Sequence, residues 1–324
     1  MRKLTGIILC FLSPVFLGLA LFSCSGENGR EFGGSTEITV IFSSDLRGNI
    51  RSCGCAVQDM GGLGRMATYV KGVMAEPGNV LYLTSGDNFS SDFSFTRDMG
   101  DLVMESFDFM GLDVYTPGEY EFVFGLDYLK GIQSAYSFEI IAANLVNSSD
   151  GQPVFTPAYL VREMDTGLKI AITGVLGDNI AFPGYVDNSG FRVEPAEEAL
   201  RKVIPGMRKE ADLLFLICHM GLEDAEKLLS RVDVFDVAIL GHDKPKLDRI
   251  VTVGKTALLG AGGQGKYMGR LNYLIDRKGE IEQSTVKLIP LSDDIGIHSG
   301  IKRLFDSYGI ELTDKEARKK ARGY

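Results

Sequence analysis

The chain alternates between two kinds of hydrophobic pattern. Short apolar runs between polar turns predict strands at residues 37–42, 80–84, 113–115, 138–143, 169–175, 213–218, 234–240 and 257–260. Apolar residues spaced three and four apart predict helices at 63–74, 99–110, 196–210 and 222–230, and residues 268–275 and 281–288 predict an antiparallel hairpin. Because strands and helices alternate and polar loops follow the strands, the pattern predicts an α/β sandwich.

The N-terminal segment has the pattern of an export signal. Arg2 and Lys3 precede an apolar stretch that ends at Leu21-Phe22-Ser23-Cys24. A cysteine directly after Leu-x-Ser resembles the lipobox of bacterial lipoproteins, which implies that Cys24 is lipidated and becomes the mature N-terminus. The alternative is an uncleaved membrane anchor, but the stretch is shorter than the ~20 residues that span a bilayer.

These features predict four parts of the chain. Residues 1–23 are a signal peptide, residues 24–36 a Gly-rich tether, residues 37–292 the main domain, and residues 293–324 a C-terminal helix with a basic tail at 315–322. We therefore expect a cell-envelope protein whose contact with the membrane is through the lipid anchor alone. Ser25 after the cysteine favours the outer membrane.

Composition and charge narrow the class of protein. The 324 residues are 45% hydrophobic and 24% charged, which excludes disordered and collagen-like chains. The net charge of −9 argues against a nucleic-acid partner, because such a surface needs clustered lysine and arginine.

Polar side chains follow several of the predicted strands. Asp45, Asp87, Glu119, His219 and His242 each come at or directly after a strand end. Ligands of α/β folds gather at the carboxyl ends of strands, where loops bring distant residues together. Several carboxylates and imidazoles in this position predict a metal site.

Six motifs then occur in an order that resembles the calcineurin-like metallophosphoesterases, and within them the catalytic domain of the bacterial 5′-nucleotidases of the UshA-like group. The matching stretches are Ser44-Asp45-Leu46-Arg47-Gly48-Asn49, Gly61-Gly62-Leu63-Gly64-Arg65, Ser85-Gly86-Asp87, Gly118-Glu119-Tyr120-Glu121-Phe122, His219-Met220-Gly221 and Gly241-His242-Asp243-Lys244. The resemblance implies a four-layer α/β/β/α sandwich.

The resemblance also implies two metal positions, and only one of them keeps its ligands. The second position would be formed by Asp87, Glu119, His219 and His242, a set suited to one zinc, manganese or iron ion. At the first position Asp45 and Asp87 remain, but Arg47 and Lys244 replace the two family histidines. Neither protonated cation can bind a metal, so a second ion is not expected. We expect Arg47 and Lys244 to form ion pairs with Asp45 and Asp87 instead.

The catalytic position is altered as well. Tyr120 stands where the family has a histidine that acts on the leaving-group oxygen, and a neutral phenol is a weaker acid. Tyr120 and Asp45 are therefore doubtful catalytic residues, and the alternative for Tyr120 is a packed aromatic side chain.

Cys53-Gly54-Cys55 lies in the loop after the first motif. A few UshA-like relatives, including selenoproteins, carry a similar Cys-Gly-Cys or selenocysteine sequence there. The interpretations are a disulfide, a redox-active dithiol beside the metal site, or thiolate ligands that compensate for the lost imidazoles.

Taken together, the sequence predicts an exported lipoprotein with a phosphoesterase-type domain of weak or absent hydrolytic activity and a binding or accessory role. Its partner would be a phosphorylated small molecule or an envelope protein. The alternatives are an active metal-dependent phosphoesterase of the 5′-nucleotidase kind and a thiol-redox protein that uses Cys53 and Cys55.

Overall fold

The structure is a computed structural model that describes residues 32–55 and 57–312. These residues form two six-stranded sheets and six α-helices. The predicted signal peptide, the lipidation site Cys24, the tether as far as residue 31 and the basic tail at 315–322 lie outside the described residues. Within the described ranges, no helix has the length and the apolar character that crossing a membrane requires.

The strands in chain order are β1 (Thr36–Ser43), β2 (Asn79–Ser85), β3 (Val114–Thr116), β4 (Glu139–Ile140), β5 (Leu145–Asn147), β6 (Tyr159–Glu163), β7 (Lys169–Leu176), β8 (Phe191–Val193), β9 (Leu213–His219), β10 (Val237–Gly241), β11 (Val251–Val253), β12 (Thr256–Gly260), β13 (Tyr267–Ile275) and β14 (Ile281–Pro290). The helices are α1 (Leu63–Met74), α2 (Arg97–Met110), α3 (Leu126–Ala135), α4 (Ala196–Glu210), α5 (Leu222–Arg231) and α6 (Ser299–Ser307), and a short 3₁₀ helix covers Glu119–Phe124.

Each sheet has a parallel centre with an antiparallel edge. The first sheet runs β14-β13-β1-β2-β3-β4, in which β1 to β4 are parallel and β13 and β14 are antiparallel. The second runs β11-β12-β10-β9-β7-β6, in which only the two edge strands are antiparallel. β5 and β8 form a separate antiparallel pair.

Alternation of side chains along the strands divides the interior into three hydrophobic layers. On β1, Ile41 faces α1, α2 and α6, whereas its neighbours Val40 and Phe42 face the second sheet. On β9, Phe215 faces the first sheet and Leu216 packs with α4 and α5. The order of layers is therefore helices, sheet, sheet, helices, and the predicted four-layer α/β/β/α sandwich is confirmed.

Some predicted bounds are wrong for identifiable reasons. The strand predicted at 138–143 is only β4, because the chain crosses between sheets: Ile141 N still donates to Tyr115 O, but Ala143 N donates to Gly174 O in β7. The C-terminal helix predicted within residues 293–324 begins only at Ser299, because the ring of His298 accepts from Gly300 N and caps it. The strand predicted at 234–240 begins at Val237.

Close packing between β1 and β13 gives a test of the core. Gly269 pairs with Phe42, and a Cβ on Gly269 would overlap the ring of Phe42 between the two sheets. We expect Gly269→Ala to lower the free energy of unfolding by about 1–3 kcal/mol, measured by urea denaturation, because overpacked interiors cannot relax freely. Gly190→Ala, where a Cβ meets open space, should change it by less than about 0.5 kcal/mol. Equal effects at the two positions would contradict this packing.

Candidate metal centre

The carboxyl ends of parallel strands from both sheets meet at one place. Asp45, Asp87 and Glu119 follow β1, β2 and β3 of the first sheet, whereas His219 ends β9 and His242 follows β10 of the second. The two sheets touch through β2 and β9, so five side chains far apart in sequence converge at this edge.

Four of these side chains form one group with the character of a metal site. One ligand atom from each of Asp87, Glu119, His219 and His242 lies within 4.8 Å of the others. Glu119 Oε2 is 2.9 Å from His219 Nε2 and 3.3 Å from His242 Nδ1, and His219 Nε2 is 3.5 Å from Asp87 Oδ1. The structure thus brings together the four side chains that the sequence predicts as ligands.

The orientation of His219 is fixed by the backbone. Its Nδ1 lies 2.9 Å from Ser85 O, a carbonyl that can only accept, so Nδ1 carries the proton and Nε2 faces the group. Gly118 makes this approach possible, because a Cβ there would lie 2.5 Å from both Asp87 Oδ1 and His219 Nε2.

Glu121 supports the ligand group through the backbone, a role that was not predicted from the sequence. Its buried carboxylate accepts from the backbone N–H groups of Asp87 at 2.8 Å and Gly118 at 2.6 Å, and from the Tyr115 hydroxyl at 2.6 Å. It therefore ties the loop after β2 to the 3₁₀ helix that carries Glu119. A glutamate within the apolar run Tyr-Glu-Phe-Val-Phe was the available signal.

The loops at this edge hold non-glycine residues in the left-handed region of the backbone. The φ angles are 51° at Asp45, 50° at Arg47, 53° at Asp87, 77° at His242 and 55° at Lys244. Such conformations are unfavourable for side chains with a Cβ, and they collect where a site imposes them.

Arg47 occupies the space between the two aspartates. Its Nη2 is 2.8 Å from Asp87 Oδ2 and 3.4 Å from Asp45 Oδ1, and it donates to His242 O at 2.9 Å. Its Nη1 donates to the Tyr120 hydroxyl at 3.1 Å, and the guanidinium stacks 4.7 Å from the centre of the Tyr120 ring. The ion pairs expected of Arg47 are present.

The expected ion pairs of Lys244 are absent, so this part of the prediction is wrong. Lys244 is exposed, and no carboxylate in residues 32–55 and 57–312 lies within ion-pair distance of its ammonium group. The stem of the side chain runs along Gly263, whose missing Cβ leaves it room. A left-handed φ at Lys244, directly before Pro245, turns the chain away from the aspartates.

Tyr120 touches both halves of the site. Its backbone N–H donates to Asp87 Oδ1 at 3.1 Å, while its hydroxyl accepts from Arg47. The predicted catalytic position is therefore occupied by a phenol oxygen held beside a permanent cation. Asp45 is fully buried, and its Oδ2 has no hydrogen-bond partner.

Burial and charge shift the acidity of the group. Burial raises the pKa of Asp45, and it raises the pKa of Asp87 to about 7, although the positive charges of His219 and Arg47 oppose this. Burial opposes the charged ring of His219, but Glu119 and Asp87 raise the pKa of His219 to about 10. The hydrogen bond to Glu119 also raises the pKa of His242, whereas the two histidines hold the pKa of Glu119 well below its usual range against burial.

The donor set fits one divalent ion at the group of Asp87, Glu119, His219 and His242. Two imidazole nitrogens and two carboxylates are hard-to-borderline ligands that suit zinc, manganese or iron. The first position does not fit an ion, because the Arg47 guanidinium lies against both aspartates there.

The Cys53-Gly54-Cys55 loop lies apart from this donor set. Both thiols are free and exposed, and Cys55 N donates to Cys53 Sγ at 3.4 Å. Gly54 N donates to Asp59 Oδ1 at 2.7 Å, and Asp59 forms a buried ion pair of 2.9 Å with Arg65. Neither thiol belongs to the ligand group, which disfavours the interpretation of both cysteines as replacement metal ligands.

Metal binding should release protons. The ring of His219, whose pKa is raised to about 10, is protonated in the metal-free protein at neutral pH, and the pKa of His242 is raised as well, whereas a metal binds only the neutral ring. We expect titration with Mn²⁺ or Zn²⁺, in buffers of different ionisation enthalpy at pH 7, to show release of about one proton from His219 and further fractions of a proton from Asp87 and His242 for each ion bound. The affinity should rise about tenfold per pH unit for each proton released.

The third histidine provides the matched control for this experiment. His298→Gln removes a helix cap and a ring contact with Phe109 and should leave the proton release unchanged, whereas His242→Gln should reduce it. Binding that is independent of pH would contradict the assigned protonation.

Several known proteins resemble this chain in sequence, and several solved structures resemble it in fold. No family model matches the chain. Protein 5NUC of Lutzomyia longipalpis is 26% identical over 315 residues, covering 86% of this chain and 54% of that protein. Protein UshA of Yersinia enterocolitica is 27% identical over 297 residues, covering 79% of this chain and 52% of that protein. The chain spans about half the length of these relatives.

Three solved structures share the fold at low identity. The sulfate thiohydrolase SoxB of Thermus thermophilus has a TM-score of 0.75 at 18% identity, covering 84% of this chain and 60% of its own. A 5′-nucleotidase precursor of the same organism has a TM-score of 0.72 at 19% identity, covering 84% and 58%. The calcineurin-like phosphoesterase YfkN of Bacillus subtilis has a TM-score of 0.69 at 17% identity, covering 89% and 99%. The chain therefore has the α/β/β/α fold of the metallophosphoesterases, and its sequence relatives and structural neighbours include metallophosphoesterases of the 5′-nucleotidase kind.

Proposed function

We propose that the chain is an exported lipoprotein whose metallophosphoesterase-type domain binds one divalent ion and phosphorylated small molecules, and hydrolyses phosphoesters weakly or not at all. The observation that carries the proposal is the contact of the Arg47 guanidinium with both Asp45 and Asp87. The lipobox at Cys24 supports the anchoring to the cell envelope.

Arg47 is held too firmly to leave the first metal position at little cost. It makes two ion pairs, one hydrogen bond to a backbone carbonyl and one to the Tyr120 hydroxyl, and its side chain is only 22% exposed. Removing it would leave the buried Asp87 without its closest cation, which is strongly unfavourable in a protein interior.

The remaining half-site supports binding. An ion held by Asp87, Glu119, His219 and His242 would act as a Lewis acid on a phosphoryl oxygen. The chain itself supplies the Arg47 guanidinium beside that position, and a permanent planar cation suits a phosphate group. The same arrangement therefore favours retention of a phosphorylated ligand.

The side chains in the catalytic positions are poorly suited to promoting hydrolysis. Tyr120 offers a neutral phenol where the resemblance implies a histidine, and a neutral phenol is a weaker acid for a leaving group. Asp45 keeps its carboxylate beside the same guanidinium, where it balances a fixed charge. We therefore expect turnover far below that of an enzyme with two metal ions.

Replacing the Arg47 guanidinium with an imidazole should raise activity. We expect Arg47→His to raise kcat/KM for p-nitrophenyl phosphate with added Mn²⁺ by about 100-fold over the wild type, because an imidazole beside Asp45 and Asp87 lets a second ion stabilise the transition-state charge. The single variant Lys244→His should have little effect, because Lys244 does not contact the aspartates.

Arg201→His, on the exposed face of α4, is the matched control and should leave turnover unchanged. An active phosphoesterase is the competing outcome. If the wild type hydrolyses the aryl phosphate at ordinary phosphatase rates, the proposal of weak or absent hydrolysis is wrong.

A thiol-redox role is the second candidate, and the state of Cys53 favours it. Burial opposes the thiolate, but hydrogen bonds from Cys55 lower the pKa of Cys53, while the same contact raises the pKa of Cys55. In this role the Cys53 thiolate would attack a disulfide of a partner and release one partner thiolate. Cys55, losing its proton, would then attack Cys53 Sγ and release the second thiolate, so the partner is reduced and the pair is oxidised.

Alkylation rates as a function of pH test this candidate. We expect Cys53 to react with iodoacetamide at lower pH than an ordinary cysteine, and Cys55→Ser to move its pKa back toward the ordinary value. Cys218 is buried and should stay unreactive in the folded protein, so it serves as the internal control. Equal and ordinary reactivity of Cys53 and Cys55 would remove the redox role.

A further inference from the structure

Two exposed aromatic rings lie against each other in the part of the chain that the structure describes. Phe93 is 91% exposed and Tyr185 is 51% exposed, and their ring centres are 5.6 Å apart with an angle of 35° between the planes. Single exposed apolar side chains are common on protein surfaces, but adjoining exposed aromatic rings are typical of a contact site. We refer to Phe93 and Tyr185 as the aromatic platform.

The loop that carries Phe93 is well anchored. It follows Asp87 of the metal centre, and on either side of Phe93 the buried rings of Phe89 and Phe95 pack together at 5.5 Å. Asp92 closes a turn beneath Phe93, since its carboxylate accepts from Ser94 N at 2.8 Å. The exposure of Phe93 is therefore set by a packed loop.

The loop that carries Tyr185 is anchored in the same way. Phe182 packs edge-on against Phe122 at 5.1 Å, and Val186 N donates to Pro183 O at 2.8 Å to form the turn that presents Tyr185. The Tyr185 hydroxyl donates to Ser91 O at 3.0 Å, which joins the two loops.

The platform adjoins the metal centre. Phe122, in the same 3₁₀ helix as Tyr120, packs against the loop that carries Tyr185. Gly48, the residue after Arg47, donates its backbone N–H to Asn88 O at 3.0 Å, at the start of the loop that carries Phe93. The two loops of the platform are thus joined to the segments that carry Arg47 and Tyr120.

The geometry points to a binding site for the planar ring of a phosphoester's organic part, such as an aryl group or a nucleobase, on Phe93 and Tyr185. This inference rests on the proposed function, in which the phosphoryl end lies at Arg47 and the metal position. A ring face is the matching surface for an exposed aromatic side chain, and base–aromatic stacking of this kind changes affinity about 5- to 150-fold when the side chain is truncated.

Calorimetric titration with three probes tests the site. Adenosine carries only the ring and sugar, inorganic phosphate carries only the anion, and adenosine 5′-monophosphate carries both. We expect Phe93→Ala to lower the affinity for adenosine and for adenosine 5′-monophosphate by the same factor, at least about fivefold. The affinity for inorganic phosphate should not change. Tyr185→Phe keeps the ring and should retain most of the affinity.

Ile281→Ala is the matched control. Ile281 is also an exposed apolar residue, but it lies at the far end of the first sheet, where β14 begins opposite the end of β13. Its replacement should change none of the three affinities. An unchanged melting temperature in Phe93→Ala excludes a loss of folding as the cause.

The outcomes separate this inference from the proposed function. If the wild type binds adenosine but not inorganic phosphate, and Phe93→Ala abolishes adenosine binding, the ring-binding site is supported and the proposed phosphoryl site is wrong. If adenosine does not bind the wild type, or if Phe93→Ala leaves its affinity unchanged, the platform is wrong. A wild-type dimer that Phe93→Ala dissociates, without any ring binding, would show that a second copy covers these rings and would also overturn the inference.

Discussion

The guanidinium of Arg47 between two buried aspartates is the interaction on which the character of the site depends. Asp45 and Asp87 are both removed from water, and burial raises the pKa of each, so their charges need a partner. A metal ion is one such partner, but Arg47 is permanent and needs no supply of metal. Charge compensation in this half of the site is therefore part of the fold.

The other half balances the charge of Glu119 with imidazoles. Glu119 lies between the rings of His219 and His242, which would lose protons if a metal bound there. Glu121 and Gly118 hold this half-site together, one through backbone hydrogen bonds and the other by leaving room for His219. One half of the site is thus fixed and the other is open to a ligand.

The hydrophobic periodicity and the order of the motifs were sufficient to predict the fold and the ligand group. The fold and the ligand group both depend on parallel strands whose carboxyl ends meet at one edge. The strand ends grouped Asp45, Asp87, Glu119, His219 and His242, and the family resemblance separated the four that form the ligand group from Asp45. The direction of Lys244 could not be predicted, because it depends on a left-handed φ and a following proline. Tyr159–Glu163 was missed because this edge strand is half-buried along its length and lacks alternation. The platform was missed because Phe93 and Tyr185 meet only through tertiary packing.

The most direct test is anomalous diffraction at the manganese edge from crystals of the protein grown with excess Mn²⁺. We expect one anomalous peak among Asp87, Glu119, His219 and His242, with the Arg47 side chain still against Asp45 and Asp87. Two peaks, with the second ion between Asp45 and Asp87 and the guanidinium displaced, would show that Arg47 does not replace the first metal.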